Sequence, residues 1–218
     1  MVLAQTRKPR STRMSAEQRR QQIVNVSAAL FSKKGFNGTT TREIADCAGV
    51  SEAIIFRHFP NKNALYSAII DYKTRQSGKR IKEHLKEAAR RKDDRAFFET
   101  LAIDLMEMYM KDHTLMRLLM FSALEGHELS EMFFQSTVRD VRDYVRRYIK
   151  QRIADGAFRD IDPVVCARGF VGMIFVHAQI RALYKGTSCD DVKLSNRQIA
   201  DRLVDLFLNG SCKERLAT

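Results

Sequence analysis

Hydroxyl and cationic side chains occur together between residues 35 and 65, where their chemistry suits binding rather than bond-making. Such groups hydrogen-bond to phosphates and to base edges, and cations attract polyanions. The chain contains no H-E-x-x-H, G-x-S-x-G, P-loop or dinucleotide motif that would indicate a catalytic site. The sequence therefore favours contact with a polyanion over catalysis in this stretch.

The elements that would hold these side chains are two short helices joined by a tight turn. Thr40 is a suitable N-cap for the first helix, and Glu43 lies three residues later, where it can complete a capping box. Gly49 can end this helix because glycine adopts the left-handed conformation at no steric cost. Ser51 then caps a second helix over 52–58. A pair of this kind can place one helix in the major groove of DNA.

Two ordered runs within this stretch closely resemble the TetR/AcrR family of transcriptional regulators. The runs are Ala45-x-x-Ala48-Gly49-Val50-Ser51 and Ile55-Phe56-Arg57-His58-Phe59-x-Asn61-Lys62-x-x-Leu65. The resemblance begins near Arg20 and is specific in order and spacing, whereas beyond about residue 75 it concerns only length and helical pattern. It implies an N-terminal DNA-binding domain followed by a helical effector-binding domain.

The resemblance also implies which residues contact DNA, because the family's second motif helix enters the major groove. Phosphate contacts hold the register, while base-edge contacts carry sequence information. Carried over position by position, the expected DNA-binding residues are Thr40, Thr41, Arg42, Ser51, Glu52, Ala53, Ile54, Phe56, Arg57, His58 and Lys62. Those expected to contact phosphates are Thr40, Thr41, His58 and Lys62.

Two positions depart from the family pattern. Ile54 stands where a small hydroxyl residue is usual, and Phe56 stands where a tyrosine would offer a phosphate-bonding hydroxyl. Ile54 could contact a thymine methyl group, or it could pack beside Ile55 and leave fewer side chains to read bases. These departures concern operator specificity more than DNA binding itself.

Positive charge is concentrated at the N-terminal end of the 218-residue chain, whose net charge is +12. Residues 1–62 contain eleven lysines and arginines and four acids, and so carry +7 of that charge. We predict that residues 1–14 form a disordered basic arm, which either touches DNA or stays solvated. An anionic polymer is the expected partner of the first part of the chain only.

Helix signals recur along the whole chain and predict an all-α fold of about nine helices. The predicted domains are the arm at 1–14, a helix-turn-helix domain at 15–77 with its motif at 40–59, and an effector-binding and dimerisation domain at 78–218. Outside the motif, the predicted helices run from Ser15 to Lys34, Asn61 to about Arg91, Asp93 to about Lys111, His113 to Leu124, about Leu129 to Ala154, Asp162 to Lys185 and Ser195 to Gly210.

The last two predicted helices carry surplus apolar surface, which favours a subunit interface. Their pairing across a two-fold axis would form a four-helix bundle, and the family resemblance implies the same homodimer. The predicted interface residues are Phe170, Ile174, Ile199, Leu203, Leu206 and Phe207. The alternative is that both helices simply close the core of a single chain.

Six of the nine methionines lie between Met106 and Met132, interleaved with aromatic residues. Methionine is flexible and polarizable, so a cluster of this kind suits either an adaptable pocket or an ordinary core. The family resemblance favours the pocket. The predicted effector-binding residues are Met108, Tyr109, Met116, Met120, Phe134, Met173 and His177.

The remaining sequence features indicate a cytoplasmic protein that needs no metal or cofactor. The four cysteines are widely separated and lack zinc-ligand spacing, so free thiols are expected, although a sensor role for Cys189 stays open. No secretory signal begins the chain, and the longest uncharged stretch in its C-terminal half, Gly169 to Ile180, is too short to span a bilayer. We therefore expect no membrane association.

Together these features predict a homodimeric repressor that leaves operator DNA when a small apolar or amphipathic effector binds. An effector-independent DNA-binding protein with a solid core is one alternative, and a large cavity in the second domain would argue against it. The other alternative is an all-helical enzyme, but the sequence contains none of the catalytic motifs named above.

Overall fold

The computed structural model describes residues 14–111, 113–126, 131, 139–184, 186–187 and 191–211, without the side chains of residues 73–77. Within these ranges the chain forms nine helices and no strand, which confirms the predicted all-α class. The helices are α1 Ala16–Lys34, α2 Thr41–Ala48, α3 Glu52–His58, α4 Lys62–Arg91, α5 Asp94–Lys111, α6 His113–Leu124, α7 Arg139–Ala154, α8 Pro163–Leu183 and α9 Asn196–Ser211.

Several helices begin at the caps that the sequence predicted. The capping box of α1 is complete, with Gln18 N donating to Ser15 Oγ at 3.1 Å and Ser15 N donating to Gln18 Oε1 at 2.8 Å. Ser195 and Gln198 form the same pair of bonds at α9. The Asn61 side chain accepts a bond of 2.8 Å from the third residue of α4. Each cap satisfies backbone donors that the helix itself leaves unpaired.

Other predicted details are wrong. Thr40 accepts from Glu43 N at 3.1 Å, but the Glu43 carboxylate turns to Lys34 and leaves the predicted capping box incomplete. Ser51 occupies the cap position of α3 without a side-chain bond. Helix α8 ends at Leu183, two residues before the predicted end, and most of the predicted start of the seventh helix lies outside the described residues.

Two buried cores organise the fold, and α4 contributes to both. The first lies among α1, α2, α3 and the beginning of α4, and the second lies among α5, α7, α8, α9 and the end of α4. Ile70 belongs to the first core and Ile81 to the second, on the same continuous helix. Large members of the first are Ile23, Phe31, Ile44, Ile55, Leu65 and Tyr66; large members of the second are Phe97, Phe98, Phe158, Phe170 and Phe207.

Helix α6 also has residues in both cores. Leu115 and Leu118 are buried with the first core, whereas Met116 is buried with the second. Leu115 and Leu118 are three positions apart and share one face of the helix, whereas Met116 is turned about 100° or more away from each of them. Different sides of α6 are therefore covered by different parts of the chain. Sequence analysis assigned α6 wholly to the second domain and gave no sign of this division.

The predicted interface residues on α8 and α9 require a correction. Phe170 and Ile174 are 0% exposed, Ile199 is 7% exposed and Phe207 is 9% exposed, all within the second core of this one chain. Their rings and methyl groups are therefore already covered, as the alternative interpretation of these helices foresaw. Leu203 is half-buried against the same core.

A different face of the last two helices is uncovered. On α8, Val165 and Val176 are 69% and 52% exposed, and Gly169 and Gly172 lie between them at heptad spacing. A Cβ placed on either glycine would meet nothing within 4 Å. We call these four residues the outer stripe of α8. Leu206, 66% exposed, is the uncovered member of the predicted interface on α9.

By length and composition α8 could also cross a membrane. It has 21 residues and a mean hydropathy of 1.4, with 22% of the apolar window buried. A single helix of this kind is weak evidence for a membrane span, because core helices of globular proteins share the property. Here one side of α8 lies in the second core.

Candidate nucleic-acid interface

Helices α2 and α3 form the predicted helix-turn-helix motif. Gly49 ends α2 in the left-handed conformation, with φ 64° and ψ 39°, and the chain turns directly into α3. Ile44 and Ile55 are buried between the two helices and α1, and Phe59 is buried just after α3. These anchors fix the inner side of α3, so its other side faces away from the core.

The predicted DNA-binding residues belong to the starts of α2 and α4 and to α3 with its cap. None of the eleven is fully buried. The exposed ones are Thr40, Arg42, Ser51, Ala53, Phe56 and Arg57, and the half-buried ones are Thr41, Glu52, Ile54, His58 and Lys62. Phe56 is 46% exposed, so part of its ring is open to a contact outside the chain.

Thr41 and Glu52 are joined to each other across the motif. Thr41 Oγ1 donates a hydrogen bond of 2.6 Å to Glu52 Oε1, and these are the first residues of α2 and α3. The bond holds the Glu52 carboxylate against the start of α2. Sequence analysis placed both residues near DNA but did not predict that they contact each other.

Lys62 is packed at the start of α4 rather than extended into solvent. Its Nζ lies 4.1 Å from the centre of the Phe36 ring, a cation–π contact. Burial lowers the pKa of Lys62, and the nearby Glu125 carboxylate partly opposes this by raising the same pKa. A lysine with a half-buried ammonium is less free to follow a phosphate than an exposed arginine such as Arg57.

His58, which is predicted to contact a phosphate, has one of its two ring nitrogens buried. Its Nε2 is buried and has no hydrogen-bond partner among the residues that the structure describes. Only Nδ1 could then reach a phosphate. The ring lines a cleft of about 420 Å³ between the start of α1 and the outer side of α3, together with Arg19 and Arg57.

A set of hydrogen bonds, which we call the polar junction, connects α6 to the predicted helix-turn-helix domain at residues 15–77, called the motif domain below. Arg117 Nε donates to Ser32 O at 2.6 Å, and Tyr66 Oη donates to Leu118 O at 2.8 Å, so α6 is bonded to both α1 and α4. Burial, with a smaller contribution from Glu125, raises the pKa of the Tyr66 hydroxyl well above its usual value, which keeps it a hydrogen-bond donor.

Glu125 completes this junction just after α6. Its Oε2 accepts from Phe36 N at 3.0 Å, in the loop between α1 and α2. The same carboxylate lies against Gly35, where a Cβ would overlap its Oε1. A glycine at position 35 is compatible with the close approach of another group to the backbone. The approaching group, the Glu125 carboxylate, is 90 positions away in sequence, so the motif alone does not predict it.

The predicted effector-binding residues lie around α5, α6 and α8, with the exception of Phe134, which is outside the described residues. Tyr109 is buried and packs edge-on against Phe175 with ring centres 5.4 Å apart, and burial raises its pKa to about 12. Gln179 Nε2 lies 3.9 Å from Met120 Sδ. These two contacts bring α5 and α6 against the same helix, α8.

The remaining members differ in burial. Met116 is 1% exposed, whereas Met108, Met120, Met173 and His177 are half-buried. Partial burial leaves such flexible side chains room to rearrange, which a pocket residue needs and a fixed core residue does not. Of the cysteines, Cys47 and Cys166 are free thiols, and the other two lie outside the described residues.

Comparison with known families agrees with this geometry. The family of bacterial regulatory proteins called tetR matches residues 23–69, which contain α2 and α3. The C-terminal domain family of AefR-like transcriptional repressors matches residues 101–210, which is half of the chain. The two matches cover the motif domain and most of the second core.

Individual relatives are similar over shorter or more divergent stretches. YvkB of Bacillus subtilis (strain 168), an uncharacterized HTH-type transcriptional regulator, is 45% identical over 56 residues, which are 26% of this chain and 30% of YvkB. The chain likewise covers less than two thirds of the length of other curated regulators that it matches.

Solved structures resemble the fold over nearly the whole chain. A putative TetR-family transcriptional regulator from Mesorhizobium loti MAFF303099 has a TM-score of 0.68 at 19% identity, covering 92% of this chain and all of that one. AibR in complex with isovaleryl coenzyme A and operator DNA has a TM-score of 0.62 at 22% identity, covering 86% of this chain and 97% of AibR.

Proposed function

The chain belongs to the TetR family of bacterial transcriptional regulators, and on that premise we propose that it is a homodimeric repressor released from operator DNA by a small effector. The observation that carries the proposal is the outer side of α3. Ile55 and Phe59 anchor this helix from within, and Ala53, Phe56 and Arg57 are left uncovered on a rigid support. The proposal contains no catalytic step and places the protein in the cytoplasm, where its operator would be.

We propose that residues 15–77 form the DNA-binding domain, that the basic arm at 1–14 accompanies it, and that residues 78–218 bind the effector and the partner subunit. A dimer of helix-turn-helix domains reads two half-sites when its recognition helices lie roughly 34 Å apart. An effector can weaken operator binding by favouring a different spacing of the two domains. It does so only if it binds that second arrangement more tightly.

Helix α6 is suited to link the two sites. One side of it carries Met116 and Met120, which face the proposed effector space, and the other carries Arg117 and Leu118, which bond to the motif domain. A displacement of α6 by a ligand would move these bonded contacts with it. Glu125 adds a third contact, at the loop that precedes α2.

The proposed effector is apolar or amphipathic rather than a highly phosphorylated metabolite. Two contacts support a site lined by methionines and aromatic rings: Tyr109 of α5 packs against Phe175 of α8, and Met120 of α6 lies beside Gln179 of α8. AibR is a structural neighbour that holds isovaleryl coenzyme A, so a free acyl chain is one chemistry to test, with the phosphorylated acyl-coenzyme A as the contrasting ligand. Mass spectrometry of small molecules that co-purify from the native host would identify the ligand.

Replacing Met120 with tryptophan should fill the effector site while leaving operator binding intact. The added ring volume enters a half-buried position between α6 and α8, where the existing side chain is flexible. The dimer should then bind its operator and fail to release it when the co-purified ligand is added, as measured by fluorescence anisotropy.

Met120→Leu is the matched control, because it conserves volume and should release DNA normally. A Met120→Trp protein that folds, binds DNA and still responds to the ligand would show that the site lies elsewhere. A protein that loses its cooperative unfolding transition would instead indicate an overpacked core.

Operator binding should weaken steeply as salt rises, and Arg57 should account for about one contact in that dependence. Residues 1–62 carry a net charge of +7, and each neutralised phosphate contributes about 0.9 to the slope of log affinity against log salt. Arg57→Ala should therefore lower the slope by about 0.9 for every duplex tested. The exposed Arg91, at the end of α4, supplies the control Arg91→Ala, which should leave the slope unchanged. If the slope for Arg57→Ala equalled that of the unchanged protein, Arg57 would not contact a phosphate.

A further inference from the structure

Glu52 is the acidic member of the predicted DNA-binding residues, whose other members are cationic, hydroxyl-bearing, imidazole or apolar. It is the first residue of α3, beside the exposed Ala53 and in the same motif as Arg42 and Arg57. A carboxylate this close to DNA phosphates is repelled by them unless it gains a donor from the bound molecule. The first turn of a helix favours an acidic side chain, but on a surface that would face DNA this carboxylate also needs a donor from the bound molecule.

The carboxylate of Glu52 is held in place rather than left free. Thr41 Oγ1 donates to its Oε1 at 2.6 Å, from the first turn of the neighbouring helix α2. Its other oxygen, Oε2, has no hydrogen-bond partner within the part of the chain that the structure describes. One oxygen is thus fixed by the protein, and the second remains an acceptor on the half-exposed edge of α3.

The major groove offers few groups that such an acceptor can use. Cytosine presents its N4 amino donor there, and adenine presents an N6 amino donor beside the N7 acceptor. Guanine N7 and O6 and thymine O4 are acceptors that repel a carboxylate. Because N7 of adenine repels it as well, a single fixed carboxylate is best matched by cytosine.

We propose that Glu52, positioned by Thr41, reads a cytosine in each half-site of the operator. The inference rests on the proposed function, since it assumes that α3 enters the major groove. It assigns base-edge contact to Glu52 and a positioning role to Thr41, which sequence analysis had placed among the phosphate contacts. The competing explanation is that the Thr41–Glu52 bond only braces α2 against α3.

Selection of bound duplexes from a randomised DNA library, followed by sequencing, separates the two explanations. The unchanged dimer should select cytosine at one symmetric position in each half-site, with other bases there weakening binding roughly 5- to 150-fold. Glu52→Gln should shift the preference at that position to adenine, because a glutamine amide bonds to both N6 and N7 of adenine. Preferences at the other positions should not change.

Two further variants sharpen the test. Thr41→Val keeps the side-chain shape and removes the hydroxyl, so discrimination at the cytosine position should fall while the other positions are retained. Asp46→Asn removes an exposed carboxylate elsewhere on α2 and serves as the matched control, with no expected change in base preference. Melting temperatures of all variants report whether the fold is intact.

An unchanged cytosine preference in the Glu52→Gln protein would overturn the inference. Glu52 would then serve only to hold α2 against α3 through its bond with Thr41. A folded Glu52→Gln protein that loses affinity for all duplexes equally would also overturn the inference. If the unchanged protein selected no sequence at all, the proposed function itself would fail. If it selected an operator that has no cytosine at this position, only the inference about Glu52 would fail.

Discussion

Replacing Leu206 or Val176 with glutamate should convert the proposed dimer into monomers and weaken binding to a two-half-site operator roughly 100-fold or more. Both side chains lie on uncovered faces of the last two helices, 66% and 52% exposed in the single chain. In a two-fold dimer each substitution occurs twice, so two unpaired carboxylates would have to be buried. Burial of that kind without a partner costs several kcal/mol for each charge.

The outer stripe of α8 makes this face a better candidate than the residues that the sequence favoured. Gly169 and Gly172 let another helix approach the backbone of α8 closely, and Val165 and Val176 flank them with apolar surface. A partner helix could therefore pack along the stripe without disturbing the second core behind it.

Analytical ultracentrifugation of the unchanged protein and of both variants measures the association state directly, and anisotropy with an operator duplex measures the loss of DNA binding. Leu124→Glu is the matched control for association, because Leu124 is 83% exposed at the end of α6 and belongs to neither of the two helices. If the unchanged protein sedimented as a monomer at micromolar concentration, the homodimer would be rejected. Dimeric Leu206→Glu and Val176→Glu proteins would place the interface on another face.

Replacing Gly35 with alanine should lower the free energy of unfolding by about 2–4 kcal/mol. Gly35 has φ 73° and ψ 179°, a region that side-chain-bearing residues rarely adopt. In addition, a Cβ there would overlap the Glu125 carboxylate and lie 3.1 Å from the Phe121 ring. Urea denaturation measures the loss, and the two causes should add.

Two further substitutions separate the causes. Gly49 has a similar φ of 64° but a ψ of 39°, in the left-handed helical region, and a Cβ there would meet nothing within 4 Å. Gly49→Ala lacks both the overlap and the less accessible backbone region of Gly35, so it should be the milder change. In a Glu125→Ala background the cost of Gly35→Ala should fall, since the overlap with the carboxylate is removed. Equal losses for Gly35→Ala and Gly49→Ala, with no coupling to Glu125, would mean that the junction is looser than the structure indicates.

The sequence predicted the fold class, the helix order and most helix ends because those depend on local signals. Caps such as Ser15 and Asn61, and stops such as Gly49, act within one helical turn. The family resemblance rests on the same local stretch, and the family matches confirm it. The DNA-binding residues that it implies remain predictions.

The sequence did not predict which side of an apolar helix faces the core. On α9, neighbouring positions are about 100° apart, so Phe207 enters the second core while Leu206 points out of it, although both are equally apolar in the sequence. On α8, apolar and small residues surround most of the helix, and no period separates the inner side from the outer stripe. Contacts between distant positions, such as Glu125 with Phe36, were invisible for the same reason: nothing local requires them.

Because α6 contributes to both cores, the stabilities of the two halves of the chain are coupled. Leu115 and Leu118 are buried in one core and Met116 in the other, so neither half can lose its packing without uncovering part of the other. The motif domain is then not an independent folding unit that is merely attached to a sensor. Binding of the proposed effector against α6 would therefore raise the resistance to unfolding of both halves, and the protease sensitivity of the N-terminal half would report whether the proposed effector site is occupied.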